Sequence, residues 1–124
     1  MSRYNKNLGD FGEDMAESYL KEKGYKIIKR NFYVKGGEID IICIDENTLV
    51  FVEVKTRKTN KFGLPSEAVD RKKAEHMRYA AERYYESHPF DGEVRFDVVE
   101  VFASLDDGTP ELFEIRHIED AIMF

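Results

Sequence analysis

Residues 36–57 constrain the fold most, because two apolar segments there flank a short polar turn and both are interrupted by charged side chains. The first segment reads Gly-Gly-Glu-Ile-Asp-Ile-Ile-Cys-Ile, the turn Asp-Glu-Asn-Thr, and the second segment Leu-Val-Phe-Val-Glu-Val-Lys-Thr-Arg. This pattern predicts a β-hairpin. Side chains alternate between the faces of a strand, so Glu53 and Lys55 share one face. If the polar faces of the two strands coincide, Asp40 converges on them.

Carboxylates on an apolar hairpin need a compensating partner, because desolvated negative charges repel each other. A divalent cation such as Mg²⁺ or Mn²⁺ suits oxygen ligands like those of Asp40 and Glu53. A lysine at position 55 could then position a water molecule or balance developing negative charge. The alternative is a solvated, charged face of an edge hairpin, since alternating charges are common on antiparallel strands.

Length and composition indicate a single globular domain over residues 1–124. No apolar run approaches the roughly 20 residues that span a bilayer, and we expect neither a membrane segment nor a signal peptide. Cys43 is the only cysteine, so no disulfide can form within the chain, and we expect a cytoplasmic protein. Its apolar strand context favours a small core residue over a nucleophile.

The net charge of −6 is unevenly distributed. Residues 1–73 hold 15 Lys and Arg against 12 Asp and Glu, whereas residues 74–124 hold 4 against 13. One face could therefore attract a nucleic-acid backbone while the rest repels it. The candidate phosphate contacts are Lys35, Arg57, Lys58, Lys61, Lys72 and Lys73. Simple solubilising lysines would give the same pattern.

Hydrophobic periodicity predicts an α/β protein in which helices flank a mixed sheet of about five strands. The predicted order is α-β-β-β-α-β-β-α, because a long helical crossover separates the third strand from the fourth. The predicted helices are 8–23, 66–88 and a short terminal one at 118–124; outside the hairpin, strands are predicted at 25–33, 94–102 and 112–115.

Three single residues carry expectations of their own. Glu13 lies at the border of the apolar stripe of the first helix, where it could reach the hairpin carboxylates or be a solvated acid favoured by the helix dipole. His76 falls on the apolar side of the second helix, which favours a packed histidine over a metal ligand. Asp97 is the one charge of the fourth strand that looks buried, and the apolar faces of that strand predict an interior position in the sheet.

Five motifs in order give the chain a resemblance to a known family. They are Gly9-x-x-Gly12-Glu13-x-x-Ala16-x-x-Tyr19-Leu20, Gly37-Glu38-Ile39-Asp40-Ile41-Ile42, Phe51-Val52-Glu53-Val54-Lys55-Thr56-Arg57, Phe62-Gly63-x-Pro65-x-Glu67-Ala68-Val69 and Arg95-Phe96-Asp97-Val98-Val99. Together they resemble the bacterial YraN-like family. That family in turn resembles the PD-(D/E)xK nuclease superfamily, particularly the archaeal Holliday-junction resolvases and the restriction endonucleases.

The resemblance implies a restriction-endonuclease-like core and a set of site residues. Asp40 would be the motif aspartate, and Glu53 and Lys55 the E-x-K pair. Asp40, Glu53 and the Val54 carbonyl would bind Mg²⁺ or Mn²⁺, while Lys55 orients the attacking water and Glu13 holds a second metal or binds it through water. The motif's proline is replaced here by Ile39, a departure common in the superfamily.

Two functions follow as hypotheses, beside a third interpretation in which the domain is a folding scaffold with no nucleic-acid role and behaves toward DNA independently of salt. The first is a Mg²⁺-dependent endonuclease that hydrolyses phosphodiester bonds of DNA, with branched DNA as one candidate substrate. The second is a nucleic-acid-binding module without turnover that serves DNA repair or uptake machinery. A homodimer would let two strands be cut symmetrically, with Phe62, Phe90 and Phe124 as candidate interface residues, although core or terminal packing explains them equally well.

Overall fold

A computed structural model describes residues 2–58, 70–106 and 108–122 of the chain. Its elements are α1 (Ser2–Glu22), β1 (Lys26–Val34), β2 (Gly37–Asp45), β3 (Thr48–Lys58), α2 (Arg71–Ser87), β4 (Glu93–Asp106) and β5 (Thr109–Ile118). None of the helices in this described part has both the length and the apolar character needed to cross a membrane.

The five strands form one mixed sheet in the order β1-β2-β3-β4-β5. Each neighbouring pair is antiparallel except β3 and β4, which run parallel. Parallel neighbours need a crossover, and α2 lies in the connection between them. The predicted α/β class, the mixed five-stranded sheet and the interior position of the fourth strand are therefore confirmed.

The two helices pack on opposite faces of the sheet. Val52 belongs to the core cluster that contains Ala16 and Leu20 of α1, whereas its neighbour Phe51 packs with Ala80 and Tyr84 of α2. Adjacent residues of a strand point to opposite faces, so β3 separates two apolar layers. Glu53 follows Phe51 by two residues and thus shares the α2 face.

Gly12 allows α1 to lie directly on β3. A Cβ atom added at Gly12 would stand 2.9 Å from the Cβ atom of Thr56, which is closer than packed side chains approach. At Gly9, in the same helix, an added Cβ atom would meet nothing within 4 Å. The motif glycine at position 12 therefore fixes the distance between helix and sheet.

We expect Gly12→Ala to destabilise the protein by about 1–3 kcal/mol, because the overlap with Thr56 outweighs the better helix propensity of alanine. Gly9→Ala is the matched control and should be neutral or stabilising by up to about 1 kcal/mol. Chemical denaturation of both variants checks this. Equal stabilities for the two would contradict the packing role of Gly12.

The predicted terminal helix is wrong for the described residues 118–122. β5 continues to Ile118, and Asp120 has a φ of 53°, outside the helical range. The Asp120 amide donates to Oδ1 of Asp97 at 2.9 Å, and the Ala121 amide donates to the Phe96 carbonyl at 2.8 Å. These bonds to β4 replace the bonds that a helix would make within itself.

Asp97 is fully buried, as predicted, at the centre of a hydrogen-bond network. His117 Nε2 lies 2.8 Å from Oδ2 of Asp97, and Arg95 donates to both carboxylate oxygens at 2.9 and 3.0 Å. Burial raises the pKa of Asp97, but these donors outweigh it and hold the pKa below its ordinary value. The carboxylate therefore anchors β5 and the residues after it to β4.

Two details of the helices and strands differ from expectation. His76 is exposed, because the buried stripe of α2 runs through Ala74, Met77, Ala81 and Tyr84 instead. Glu100 is a second fully buried charge of β4 in addition to Asp97, and it lies three residues further along the strand. Phe90 is half-buried against the α2 side of the core, whereas Phe62 and Phe124 lie outside the described residues.

Candidate functional site

Asp40 and Glu53 meet where the pairing of β2 with β3 ends. The last paired residues are Ile41 and Val52, and the next residue on each strand is one of the two acids. Beyond that point Oδ2 of Asp40 accepts a hydrogen bond from the Val54 amide at 2.8 Å. A side-chain carboxylate thus replaces the main-chain acceptor that a continued ladder would supply, and this bond fixes Asp40 beside Glu53.

Glu53 is a buried acid beside another acid. Only 10% of its side chain is exposed, and its Oε1 atom is buried without a hydrogen-bond partner among the described residues. Burial and then the negative charge of Asp40 raise the pKa of Glu53 to about 8. Burial also raises the pKa of Asp40, although the Val54 amide favours its ionised form. A nearby cation would stabilise both carboxylates.

Lys73 of α2 supplies a positive charge at this point. Its Nζ atom lies 3.2 Å from Oε2 of Glu38 and 3.6 Å from Oε1 of Glu53. The same residue's amide donates to the side chain of Asp70, the N-cap of α2. The sequence predicts that Lys73 contacts phosphate, and it does not predict a position beside the acids. No feature of the sequence relates Lys73 to these acids, because Lys73 lies on α2 and the acids lie on β2 and β3.

Lys55 lies on β3 two residues after Glu53 and is half-buried. In the parallel register it stands beside the buried Glu100 of β4. Its charge is among those that lower the pKa of Glu53, although burial and Asp40 prevail. The structure thus brings Asp40, Glu53 and Lys55 together, as the hairpin pattern predicted.

Glu13 is close to the site but bound elsewhere. Its Oε1 atom accepts a hydrogen bond from Arg30 at 3.1 Å, and the same guanidinium binds Asp14 and Glu17. The charge of Glu13 still contributes to the raised pKa of Asp40. Its carboxylate therefore influences the acidic pair at a distance while Arg30 holds it on the α1 side.

The remaining predicted phosphate contacts fall into three groups. Lys35, Lys58 and Lys72 are exposed, and Lys61 lies outside the described residues. Arg57 donates from Nε to the buried Oε2 of Glu100 at 3.2 Å, so its guanidinium neutralises a core carboxylate. The burial of Glu100 could not be predicted from its sequence context, because an acid next to apolar residues of a strand can face either solvent or core.

The donor set at the strand ends fits a hard divalent cation. Within residues 2–58, 70–106 and 108–122, no three His, Cys, Asp or Glu side chains form a metal-binding cluster of their own. Mg²⁺ commonly keeps several waters and takes only one or two protein carboxylates. Asp40, Glu53 and the Val54 carbonyl would be such a set, and the buried Oε1 of Glu53, which accepts no hydrogen bond from a described residue and lies 3.6 Å from the Lys73 ammonium, is an oxygen that a metal ion would satisfy.

Cys43 is fully buried on the α1 side of the sheet. Burial raises the pKa of its thiol to about 12, which leaves it protonated and unreactive at neutral pH. The expected core role of this cysteine is confirmed.

The described structure defines an α/β protein in which two helices flank a mixed five-stranded sheet, with the half-buried Asp40 and the buried Glu53 side by side at the end of the β2–β3 pairing. A family model described as "Uncharacterised protein family UPF0102" matches residues 12–101, and the chain belongs to this family. This confirms the YraN-like family expected from the motifs.

Relatives in this family match almost end to end. A UPF0102 protein of Syntrophomonas wolfei is 44% identical over 118 residues, which cover 94% of this chain and 98% of the relative. One from Caldicellulosiruptor bescii is 47% identical over 118 residues, with 94% and 97% coverage. One from Clostridium perfringens is 38% identical over 122 residues, with 98% coverage of both chains.

Proposed function

We propose that the protein is a Mg²⁺-dependent endonuclease that hydrolyses phosphodiester bonds of DNA. The observation that carries this proposal is the mutually repelling pair of the half-buried Asp40 on β2 and the buried Glu53 on β3, with Lys55 two residues after Glu53. Perturbed acids of this kind are characteristic of functional sites, since two adjacent carboxylates raise the free energy of the folded protein unless a cation or donor compensates them. The single buried cysteine fits a reducing compartment such as the cytoplasm.

Each residue of the site has a defined task in this chemistry. Asp40 and Glu53 would hold a Mg²⁺ ion, and the Val54 amide keeps Asp40 oriented for this. When bound, the ion would supply Lewis-acid chemistry, lowering the pKa of a water and offsetting negative charge on the phosphate. Lys55 holds the attacking water through a hydrogen bond and offsets negative charge that develops on the phosphate.

Calorimetric titration with Mg²⁺ tests the site. Wild type should bind the ion, and Asp40→Asn and Glu53→Gln should each lose most of the heat of binding, because each removes one anionic ligand. Glu46→Gln, an exposed acid in the hairpin turn, is the control and should bind as wild type does. Equal binding by all four proteins would contradict the assigned ligands.

Cleavage assays in the same metal then test the activity. We expect metal-dependent cleavage of a four-way junction or of linear duplex DNA. The DNA that is cut faster identifies whether the enzyme acts on branched or on linear substrates. Because symmetric cutting of a junction takes two active sites, light scattering of the protein–junction complex should show two copies if the junction is preferred. Metal binding without cleavage of either DNA would contradict the nuclease proposal while leaving the metal site intact.

A second candidate function is a nucleic-acid-binding module without turnover. Lys73 favours it, because this ammonium group already provides a cation beside Glu53 in the absence of metal. Under this alternative, Asp40→Asn should leave DNA affinity unchanged or raise it by removing repulsion, with no dependence on Mg²⁺. Metal-dependent affinity for DNA would contradict it.

A further inference from the structure

Lys73 ties the first turn of α2 to two acids of the sheet. Its ammonium group stands between two carboxylates of different strands, Glu38 on β2 and Glu53 on β3. About 28% of the Lys73 side chain is exposed, so solvent screens this charge only in part. Its neighbour Lys72 points to solvent.

We propose that Lys73 is a built-in counter-ion of the acidic site, and that a divalent cation has to compete with its ammonium group for Glu53. The counter-ion role of Lys73 rests on the described contacts alone. The competition with a divalent cation rests on the proposed function, because it requires that the site binds a metal. In this arrangement the metal-free protein tolerates its buried acids, and weak metal binding follows from the competition.

The surroundings single out Lys73 among the cations near the site. Among the described residues, the charged and titratable groups that interact electrostatically with the acidic pair or with Lys73 include Glu13 of α1, Tyr33 of β1, Glu38 of β2 and Lys55 of β3. Lys55 follows Glu53 on its own strand, whereas Lys73 comes from the helix across the α2 face. A substitution at Lys73 therefore removes a cation without changing the strand that carries the acids.

A double-mutant cycle tests the counter-ion. Lys73→Met and Glu53→Gln are made singly and together, and thermal unfolding of all four proteins is measured in a chelator at about pH 9, where lysine is still largely charged. Lys73→Met should lower the melting temperature of wild type. It should lower that of Glu53→Gln by clearly less, because the buried partner charge is already gone and only the more exposed Glu38 carboxylate still pairs with Lys73.

Titration with Mg²⁺ at the same pH tests the competition. Lys73→Met should bind the ion about tenfold more tightly than wild type, since a unit charge a few ångströms from a dication weakens its binding strongly even at high effective dielectric. Lys73→Arg keeps the charge and should retain wild-type affinity. Lys72→Met removes an exposed neighbouring charge and should change affinity less than about twofold.

The outcomes separate this inference from the proposed function. Independent, additive effects in the cycle would overturn the counter-ion, and wild-type or weaker Mg²⁺ affinity in Lys73→Met would overturn the competition. Coupling in the cycle together with no Mg²⁺ binding by any variant would support the counter-ion and overturn the metal-dependent function instead.

Discussion

Replacing Lys55 with alanine is expected to slow metal-dependent DNA cleavage by about a hundred- to ten-thousandfold, the range of a lost proton-transfer or charge-stabilising group. Lys55 is half-buried, stands two residues after Glu53 and is aligned with the buried Glu100. Its ammonium group can therefore be held at one point beside the acids. Single-turnover cleavage of the preferred DNA substrate by wild type and variant measures the effect.

The control for this prediction is Lys58→Ala, which removes an exposed charge three residues further along the same strand. This variant should weaken DNA binding slightly and reduce its dependence on salt, with little change in the rate of the bound complex. Circular dichroism and thermal unfolding should show that both variants are folded. Cleavage at the wild-type rate by a clean preparation of Lys55→Ala would contradict the assigned role.

The sheet was predictable because its residues follow local rules. The alternation of side chains around Asp40, Glu53 and Lys55 predicts the hairpin and the face that these residues share. The long helical crossover predicts that β4 pairs with β3 in parallel. Buried strands of apolar residues allow few other registers, since a slip by one residue exposes the core. The convergence of the acids is a consequence of that register.

The features that sequence analysis missed depend on contacts between distant elements. The carboxylate of Asp97 on β4 accepts a hydrogen bond from the amide of Asp120, and residues 118–122 therefore do not form the helix that their composition favours. Arg57 turns to the buried Glu100 of the neighbouring strand. Lys73 reaches across from α2 to two strands. In each case a charged side chain contacts a residue that is distant in sequence, and only the folded structure determines that the two lie close together.

The raised pKa of Glu53 makes the stability of the protein depend on pH. A carboxyl with a folded pKa of about 8 and an ordinary value of 4.5 binds a proton more tightly in the folded protein. Between these values the folded state carries more protons than the unfolded state, so the free energy of unfolding falls as pH rises. The penalty is absent below pH 4.5 and complete above pH 8.

Glu53→Gln should therefore stabilise the metal-free protein at high pH and have little effect at low pH, because glutamine cannot ionise. We expect a gain of about 2–4 kcal/mol near pH 9 that shrinks toward zero near pH 4.5. Denaturant titrations of both proteins in a chelator across this range measure it, and Glu46→Gln, whose carboxyl is exposed, should track wild type throughout. A gain that is the same at both ends of the range would mean that packing, and not the charge of Glu53, sets the difference. A gain that grows with pH would mean that the fold sacrifices stability to keep an ionisable acid at this position, as expected of a site selected for chemistry.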